Sequence, residues 1–581
     1  MKQLLPFLRP YRKESILAPL FKLLEAVFDL LVPLVVAKMI DTPEDSRGGV
    51  FGWFAVLLLM AAVGLGCTVV AQFYAARAST GVAASLRQTL FDRVQGFSFS
   101  TLDRLGSDTL ITRLTDDVNQ VQNGLNMGLR LLMRSPFIVL GSMVMAFTID
   151  TRCALIFAVT IPILFAAVFF IMQVSIPLFG RAQSGLDRVT AATRENLTGV
   201  RVIRAFCREE QSVEEFESSS RELTRLNLLV GRLSALLNPL TYVLINLAAV
   251  VLIRQAAVQV QLGQLPQGQV VALYNYMLQI IVELVKLASL IITLNKAVAC
   301  ARRTASVLSL PPEGKEPERT PEAPETAEAV TFRDVTFTYP GAAAPSLSHI
   351  SFSAKKGQTV GVIGGTGSGK STLMQLIPRF YTPEEGSVLV QGMDVQTLPR
   401  QSLCEKIGVV PQRAALVRGS IRDNLKWGGE NASEEQLWQA LEVAQAREMV
   451  EQKPGGLDFL LEQNGGNLSG GQKQRLTIAR ALVSQPEILI LDDSSSALDF
   501  ATDAALRHAL KGLHGAVTTF LVSQRIACVR QADLILVLDN GRLAGSGTHE
   551  QLMEGCQVYQ EIYYSQFPEE RPAGGSCREE V

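Results

Sequence analysis

Six long apolar stretches in the first half of the chain constrain its fold more than any other feature. A helix needs about 20 mostly apolar residues to cross roughly 30 Å of hydrocarbon. In a chain of 581 residues with 48% hydrophobic residues and a mean hydropathy of +0.22, such stretches predict an all-α membrane domain with a soluble remainder. The predicted spans are approximately 16–40, 51–75, 131–149, 153–178, 233–254 and 268–294.

Short and long connections alternate between these spans. The connections near 41–50, 150–152 and 255–267 are short, whereas 76–130 and 179–232 are long, polar and helix-prone. Arginines are frequent in the long connections, and basic residues precede the first span at Lys2, Arg9, Arg12 and Lys13. The positive-inside rule therefore predicts a multi-pass protein of the inner (plasma) membrane whose two termini and long connections are cytoplasmic.

Charged residues inside two of the spans have two possible meanings. Lys22, Glu25 and Asp29 share one face of the first predicted helix, and Glu283 and Lys286 are similarly spaced in the sixth. Charges inside a membrane are costly and usually face the bundle interior or a wet cavity. They could line a cavity that contacts a polar or cationic substrate, or they could form a structural ion pair or lie near the headgroups.

Composition divides the chain after the last span. Residues 311–329 are rich in proline and glutamate and nearly free of bulky apolar side chains, which predicts a linker between a transmembrane domain, 1–310, and a second domain. From 330 to 565, strand and helix patterns alternate with glycine turns, as in a soluble α/β domain. Residues 566–581 are polar and predict a disordered tail.

Charge and cysteine usage exclude other classes of protein. The net charge of −1 argues against nucleic acid as a partner, because phosphate binding usually requires a basic excess. The eight cysteines include no CxxC pair and no dense cluster, so they predict reduced structural thiols and not a disulfide framework or a zinc site.

A phosphate-binding loop lies in "TVGVIGGTGSGKSTLMQLI" (359–377), between an apolar strand and a helix. Gly364, Gly369, Lys370 and Ser371 meet the G-x-x-x-x-G-K-[ST] spacing. In such a loop, backbone N–H groups surround the phosphates, the lysine reaches the β and γ oxygens and the serine holds Mg²⁺. The predicted nucleotide contacts here are Gly364, Gly365, Thr366, Gly367, Ser368, Gly369, Lys370, Ser371 and Thr372.

Three further segments fit an ATPase. "ILILDD" (488–493) predicts a buried strand that ends in Asp492, a ligand of Mg²⁺ through water. "NLSGGQKQRLTIARAL" (467–482) places Ser469, Gly470 and Gly471 at a helix start suited to phosphate. "VVPQ" places Gln412 at the end of another strand.

With its six predicted spans, its P-loop and the segment "LSGGQ", the chain resembles a bacterial exporter half-transporter of the ATP-binding cassette (ABC) family over essentially its whole length. A P-loop alone would indicate only an ATPase or GTPase. The resemblance implies an ATPase that couples ATP hydrolysis to transport, with ATP and Mg²⁺ as cofactors. Its fold would be an all-α six-helix transmembrane domain followed by an α/β P-loop NTPase domain.

The resemblance also implies roles for individual residues. Tyr339, in "FTYP", would stack on adenine, and Gln412 would bind Mg²⁺ and couple the γ-phosphate to the membrane helices. Ser469, Gly470, Gly471 and Gln472 would contact the nucleotide of a second subunit, and Asp499, in "SALD", would reach across a dimer interface. The long connections would carry coupling helices, one of them near 200–210.

Two positions depart from the family pattern. Asp493 stands where the family has the glutamate that polarises the attacking water, and Gln524 stands where it has a histidine at the γ-phosphate. Aspartate lacks one methylene, so its carboxylate lies about 1.5 Å short, and a misplacement of about 1 Å can cost about 10²-fold in rate. Glutamine cannot carry the charge of a protonated histidine. The sequence predicts that ATP binds here and is hydrolysed poorly, unless Asp493 is a tolerated variant.

An intact "LSGGQ" beside a degraded hydrolytic pair predicts a heterodimer, because a signature is useful only opposite a competent P-loop. The partners expected are a second half-transporter with the glutamate and the histidine, the lipid bilayer, and a small amphipathic substrate such as a drug or lipid moved out of the cytoplasm. Two alternatives stay open. One is a regulatory nucleotide-binding subunit, and the other is a homodimeric transporter of lipid, peptide or siderophore.

Overall fold

The structure is a computed structural model that describes residues 5–42, 47–314, 324, 326–494, 496–512 and 517–571. It forms two compact units, a helical unit (Met1–Gly96 with Ser107–Pro311) and an α/β unit (Phe97–Gly106 with Pro312–Val581). The helices up to residue 311 are α1 (Leu5–Leu8), α2 (Arg12–Ile40), α3 (Arg47–Gln95), α4 (Phe99–Leu105), α5 (Ser107–Thr112), α6 (Val118–Leu131), α7 (Arg134–Ile149), α8 (Thr151–Thr198), α9 (Val200–Ala205), α10 (Glu209–Gln261) and α11 (Gln267–Ser309).

The helical unit confirms the prediction of a helical transmembrane domain. In the described part of the chain, five helical segments are long and apolar enough to span a membrane: Gly49–Gln95, Ser107–Ile149, Thr151–Thr198, Glu209–Gln261 and Gln267–Ser309. The first predicted span, 16–40, lies in α2, whose apolar sequence is interrupted by Lys22, Glu25 and Asp29.

The helices extend well beyond the predicted spans. The 49 residues of α3 would measure about 74 Å at 1.5 Å per residue, more than twice the hydrocarbon thickness of roughly 30 Å. Hydropathy marks only the apolar part of such a helix. The α3 helix continues into the long connection predicted at 76–130, and α8 and α10 extend into the one predicted at 179–232.

Small residues allow the helices of this unit to pack closely. Ala26 of α2 and Ala71, Ala75 and Ala78 of α3 are fully buried. At Gly268 of α11, a Cβ would lie only 2.1 Å from the Ala37 carbonyl oxygen of α2, so the approach of that backbone leaves no room for a side chain. Small side chains at helix interfaces are typical of membrane bundles, where close backbone approach replaces the hydrophobic effect.

The α/β unit is built on two main sheets. The strands are β1 (Glu328–Phe337), β2 (Leu347–Lys355), β3 (Thr359–Gly364), β4 (Glu385–Val390), β5 (Met393–Asp394), β6 (Ile407–Val410), β7 (Gly419–Ser420), β8 (Leu460–Leu461), β9 (Ile488–Asp492), β10 (Thr518–Val522), β11 (Leu534–Asp539) and β12 (Arg542–Gly547). The larger sheet has the order β12-β11-β3-β10-β9-β6, and its strands are parallel except for β12 at one edge. A four-stranded antiparallel sheet has the order β2-β1-β4-β5.

Helices cover the parallel sheet, as strands that are buried on both faces require. They are α12 (Lys370–Leu376), α13 (Arg400–Lys406), α14 (Ile421–Lys426), α15 (Glu434–Val443), α16 (Arg447–Glu451), α17 (Gly470–Val483), α18 (Phe500–Lys511), α19 (Ile526–Val529), α20 (His549–Gly555) and α21 (Gln557–Gln566). All five residues of β9 are buried, its neighbours β10 and β6 run parallel to it, and β3 pairs in parallel with the other side of β10. Their carboxyl ends therefore meet at one edge of the sheet, where ligands of such folds bind.

The short helix α4 belongs to the α/β unit although it lies within the first long connection. Ser98 caps it by accepting a hydrogen bond from the Thr101 N–H. The Phe99 ring packs 4.6 Å from the Phe380 ring, and the Tyr381 hydroxyl donates to the Asp103 carboxylate. An aromatic contact and a charge-assisted hydrogen bond thus attach this helix to the unit.

The two predicted boundaries of the α/β domain differ from the observed elements. β1 begins at Glu328, inside the predicted linker 311–329, of which 315–323 and 325 lie outside the described residues. The tail is predicted from Gln566, whereas Gln566 ends α21 and Pro568–Glu570 form a 3₁₀ turn. Phe567 packs on Tyr563 at 5.1 Å, which holds this turn in place. Residues 572–581 lie outside the described residues.

Candidate functional site

A cavity of about 580 Å³ lies at the carboxyl ends of β3, β9 and β10. It contains both charged groups and an aromatic ring, the mixture that a nucleotide requires. The lining residues are Tyr339, Pro345, Ser346, Thr366, Gly367, Gly369, Lys370, Ser371, Thr372, Gln412, Asp492, Asp493, Val522, Ser523, Gln524, Asn540 and Gly541.

The predicted phosphate loop forms one wall of this cavity, between β3 and α12. Gly367 and Gly369 have φ values of +82° and +96°, in the left-handed region that favours glycine. A Cβ at Gly364 would lie 2.2 Å from the Leu538 carbonyl oxygen, so that position has no room for a side chain. The sequence needs its glycines here because the loop turns sharply and touches a neighbouring strand.

Lys370 is curled against its own loop. Its Nζ donates to the carbonyl oxygens of Gly364 at 3.0 Å and Gly365 at 2.6 Å. No ion pair between Lys370 and a carboxylate is found in the part of the chain that the structure describes. Burial lowers the pKa of Lys370, although Asp493 and Asp492 oppose this shift. The ammonium is therefore held by neutral oxygens alone and can form stronger bonds with phosphate.

Oxygen donors suited to Mg²⁺ meet beside the loop. The Ser371 hydroxyl donates to Asp492 Oδ1 at 3.0 Å, and Asp492 is only 8% exposed. Burial raises the pKa of Asp492, and the Asp493 charge adds to this effect. Gln412 adds an amide to the same wall. Hydroxyl, carboxylate and amide oxygens are ligands that Mg²⁺ accepts, so the donor set fits the predicted ion.

The two departures from the family pattern lie in the same cavity. Asp493 has a φ of +46°, which aspartate tolerates better than most residues, and its N–H donates to the Val522 carbonyl at 3.1 Å. Gln412 Nε2 lies 3.5 Å from Asp493 Oδ2, at the limit of a hydrogen bond. Gln524 follows β10 after Ser523 and is exposed to the cavity.

Tyr339 supplies the aromatic surface of the cavity. Its ring lies edge-on to Phe337 at 4.9 Å and to Tyr381 at 5.2 Å. Its hydroxyl donates to Gln375 Oε1 at 3.1 Å. These contacts fix the ring in a half-buried position at the cavity wall, as the stacking role predicted for it would need.

The predicted signature residues and Asp499 do not line this cavity. Ser469 caps α17, accepting from the Gln472 N–H at 3.4 Å while its own N–H donates to Gln472 Oε1 at 3.1 Å. Gly470 and Gly471 follow in the first turn of that helix. Asp499 caps α18 by accepting from the Thr502 N–H at 2.9 Å, and the bonds with Thr502 lower the pKa of Asp499. One chain therefore brings together the phosphate loop, Asp492, Asp493, Gln412, Gln524 and Tyr339, but not the signature.

Sequence reasoning missed Pro345, Ser346, Val522, Ser523, Asn540 and Gly541. The signal for the last two was present, since "NG" between apolar runs is typical of a tight hairpin turn. Asn540 and Gly541 have φ values of +45° and +75° and join β11 to β12. Nothing in the sequence indicated that this hairpin turns beside the phosphate loop.

A second cavity of about 380 Å³ lies in the helical unit, where Asp29, Arg134 and Glu283 line it among mostly apolar side chains. Arg134 has Nη1 2.7 Å from Glu283 Oε1 and Nη2 2.8 Å from Asp29 Oδ2. Further pairs join Arg134 to Glu25 at 3.7 Å, Lys22 to Glu25 at 2.6 Å and Lys286 to Glu283 at 2.9 Å. All five charges singled out in the sequence are thus joined through an arginine that sequence reasoning missed, which favours a structural ion-pair network.

Comparison with known proteins gives matches over both units. The sequence profile of the family described as "ABC transporter transmembrane region" matches residues 15–284, and that of the family described as "ABC transporter" matches residues 347–496. The chain is 37% identical to an uncharacterized ABC transporter ATP-binding protein, YfiB of Bacillus subtilis, over 98% of this chain and 99% of that protein.

Two further similarities bear on fold and transport. The chain is 28% identical to an ATP-dependent lipid A-core flippase of Syntrophus aciditrophicus, over 98% of this chain and 95% of that protein. The solved structure of a bacterial Atm1-family ABC exporter with ATP bound superimposes with a TM-score of 0.78, at 23% identity, over 97% of this chain and 99% of that one. The second similarity is evidence for the fold alone.

Proposed function

We propose that this chain is the poorly hydrolysing half of a heterodimer. The chain belongs to the ABC transporter family and joins an exporter-type transmembrane region to an ATPase domain. ABC exporters act as dimers in a lipid bilayer. In the proposed arrangement the chain lies in the inner membrane with its ATPase domain in the cytoplasm. Its partner supplies the glutamate and histidine that this chain lacks, and the pair moves an amphipathic compound outward.

The residues that line the nucleotide cavity are the main support for the proposal. Lys370, Ser371 and Asp492 keep the groups that bind a triphosphate and Mg²⁺, whereas the two hydrolytic positions are Asp493 and Gln524. When bound, Mg²⁺ would neutralise phosphate charge and orient the terminal phosphoryl group. The loop would hold the β and γ oxygens through Lys370 and its backbone N–H groups.

Asp493 is poorly suited to activate water from its position. Its backbone N–H is bonded to Val522, and Gln412 Nε2 stands 3.5 Å from its carboxylate. A base must come within hydrogen-bond distance of the proton that it takes, and a carboxylate about 1.5 Å short of that point fails this requirement. Gln524 can donate a neutral hydrogen bond to a phosphate oxygen but cannot add positive charge there. Binding without efficient cleavage is the expected result.

Two exposed features support a second subunit. Ser469 to Gln472 lie at the start of α17, away from the chain's own cavity, so they are free to meet a nucleotide held by another chain. On α9, in the second long connection, the flanking Phe206 is 73% exposed and Val202 is 60% exposed. An apolar helix face of this kind is suited to docking on a partner.

The experiment uses the purified chain alone and paired with a half-transporter that carries the glutamate and the histidine. We expect the chain alone to bind Mg·ATP and hydrolyse it at least about 10²-fold more slowly than the pair. Within the pair, Asp493→Asn should leave turnover nearly unchanged, whereas Ser469→Arg should abolish most of it. Rapid hydrolysis by the chain alone, or the opposite order of the two variants, would refute the heterodimer.

An amphipathic substrate is proposed on two grounds. In the described part of the helical unit, the charges at Arg134 are engaged with one another, so they are not available to select a strongly ionic substrate. A relative with 28% identity is named as a lipid A-core flippase. Stimulation of the pair's ATPase by lipids or amphipathic drugs would support the assignment of an amphipathic substrate. Transport into vesicles that persists in the Lys370→Ala variant would instead favour a regulatory role for the nucleotide bound to this chain.

A further inference from the structure

The last helix of the α/β unit is anchored next to the loop that carries Gln524. Tyr559 is fully buried and Tyr563 is 3% exposed, and both belong to a core that includes Ile526 and Val529 of α19. The short helix α19 begins immediately after that loop. Burial of two tyrosines gives α21 a fixed position relative to α19.

Gln566, the final residue of α21, forms two hydrogen bonds with this loop. Its Nε2 donates to the Gln524 carbonyl oxygen at 2.7 Å, and its Oε1 accepts from the Ile526 N–H at 2.9 Å. Arg525, which precedes α19, gives that helix no side-chain cap, so Gln566 satisfies one of its free N–H groups from outside. A single amide thus fixes both peptide groups that flank residue 525.

The other end of the loop is fixed by the parallel sheet. The Ser523 N–H donates to the Val362 carbonyl at 3.1 Å, and Val522 is paired with Asp492 of β9. Gln524 lies between these two attachments and is itself exposed at the cavity. With both neighbouring segments held, the direction of its side chain depends on the peptide bonds that Gln566 restrains together with Ser523 Oγ, which accepts from the Arg525 N–H at 3.0 Å.

We propose that Gln566 is a positioning residue, which holds the loop so that the Gln524 amide meets the terminal phosphate of ATP. The inference rests on one part of the proposed function, the assignment of Gln524 to that phosphate, and is independent of the partner's identity. It makes α21 sensitive to the difference between a triphosphate and a diphosphate.

The experiment measures the affinity of the full chain, with Mg²⁺, for the non-hydrolysable ATP analogue AMP-PNP and for ADP. In Gln566→Leu we expect about 5-fold weaker binding of AMP-PNP, the change that one neutral hydrogen bond typically makes, with ADP affinity unchanged. Gln566→Glu keeps the acceptor but loses the donor, and it should resemble Gln566→Leu. Gln557→Leu is the matched control, since Gln557 lies on the same helix and bonds Glu561 at 3.0 Å, away from the loop.

A double-mutant cycle separates positioning from a general structural role. In a Gln524→Ala background, Gln566→Leu should weaken AMP-PNP binding no further, because the two residues act in series. The inference would be overturned if Gln566→Leu lost equal affinity for AMP-PNP and ADP, or if it kept wild-type affinity. It would also be overturned if the affinity losses of the two single variants added up in the double variant. Because AMP-PNP is not cleaved, none of these results depends on the hydrolysis rate by which the heterodimer proposal is judged.

Discussion

Charged side chains are held in opposite ways in the nucleotide cavity and in the cavity at Arg134. In the helical unit, Arg134 lies within 3.7 Å of Glu25, Asp29 and Glu283, and the lysines beside them complete the pairs. In the α/β unit, Lys370 is bonded to backbone carbonyls and Asp492 to a serine hydroxyl. The first set of charges is satisfied within the protein, whereas the second is held by neutral groups.

This difference indicates which cavity takes a charged ligand. A buried charge that is bonded only to neutral groups pays a desolvation penalty that a ligand of opposite charge can relieve. A network that pairs every charge has little to gain from such a ligand and loses much if one member is removed. The ATP cavity is therefore expected to depend on its charges for binding, and the network on its charges for stability.

The largest effect is expected from Arg134→Ala, which would leave Asp29 and Glu283 without their shared partner. Removing one member of a buried ion pair typically costs about 3–5 kcal/mol. We expect a loss of this size in the stability of the detergent-solubilised chain, measured by thermal or denaturant unfolding. Arg221→Ala is the control, since Arg221 and Glu217 are 73% and 59% exposed and such pairs contribute little. Unchanged stability with abolished transport would identify the network as a ligand site.

The second effect concerns hydrolysis in the other cavity. Hydrolysis could be limited only by the short side chain of Asp493 and the missing positive charge at Gln524. In that case the paired change Asp493→Glu with Gln524→His should raise the ATPase rate of the chain alone by about 10²-fold. The same pair with Lys370→Ala added is the control, because it removes nucleotide binding from the restored site. A double variant as slow as the parent would show that the site lacks more than these two groups.

The third effect is a loss of ATP affinity that leaves the stability of the protein unchanged. Hydrogen bonds to charged groups contribute about 1.5–3 kcal/mol, so Lys370→Ala should weaken ATP binding by about 30-fold. Its ammonium forms hydrogen bonds with carbonyl oxygens and no ion pair among the described residues, so unfolding of the variant should match that of the parent. Lys356→Ala, at an exposed position of the same unit, is the control. A large loss of stability in Lys370→Ala would make this cavity resemble the network and erase the contrast.

The same contrast explains how much could be predicted from the sequence. The phosphate loop is a contiguous motif whose spacing fixes its own geometry, so Gly364 to Ser371 could be identified directly. Asp492 could be placed because parallel strands end at one edge of a sheet. Arg134 could not, because a helical face pattern groups Lys22, Glu25 and Asp29 on one helix but gives no partner 105 residues away, the separation of Asp29 and Arg134.

The ends of the helices and the contacts between distant loops also could not be predicted from the sequence. Hydropathy gave the apolar part of α3, 51–75, whereas the helix continues to Gln95 because polar residues such as Arg87 and Gln88 do not disfavour a helix. Ser346 and Gly541 reach the cavity through contacts between separate strands, which local patterns do not encode. Gln566 is a comparable case, since its bonds to Gln524 and Ile526 depend on how α21 packs.

The smallest effect tests whether a charge of the ATP cavity opposes folding. The pKa of Asp492 is raised by burial, so the folded chain holds its proton more tightly than the unfolded chain, whose aspartates titrate near about 3.9. Stability therefore falls as pH rises from that value through the folded pKa, and at neutral pH the ionised carboxylate destabilises the ligand-free protein.

Asp492→Asn keeps an acceptor for Ser371 and removes the charge. In thermal unfolding, this variant should therefore have a higher midpoint than the parent at pH 7 and the same midpoint at low pH. It should also lose the Mg²⁺-dependent stabilisation by ATP. Asp539→Asn, at the exposed end of β11, should show neither change, and a destabilised Asp492→Asn would mean that this carboxylate is structural after all.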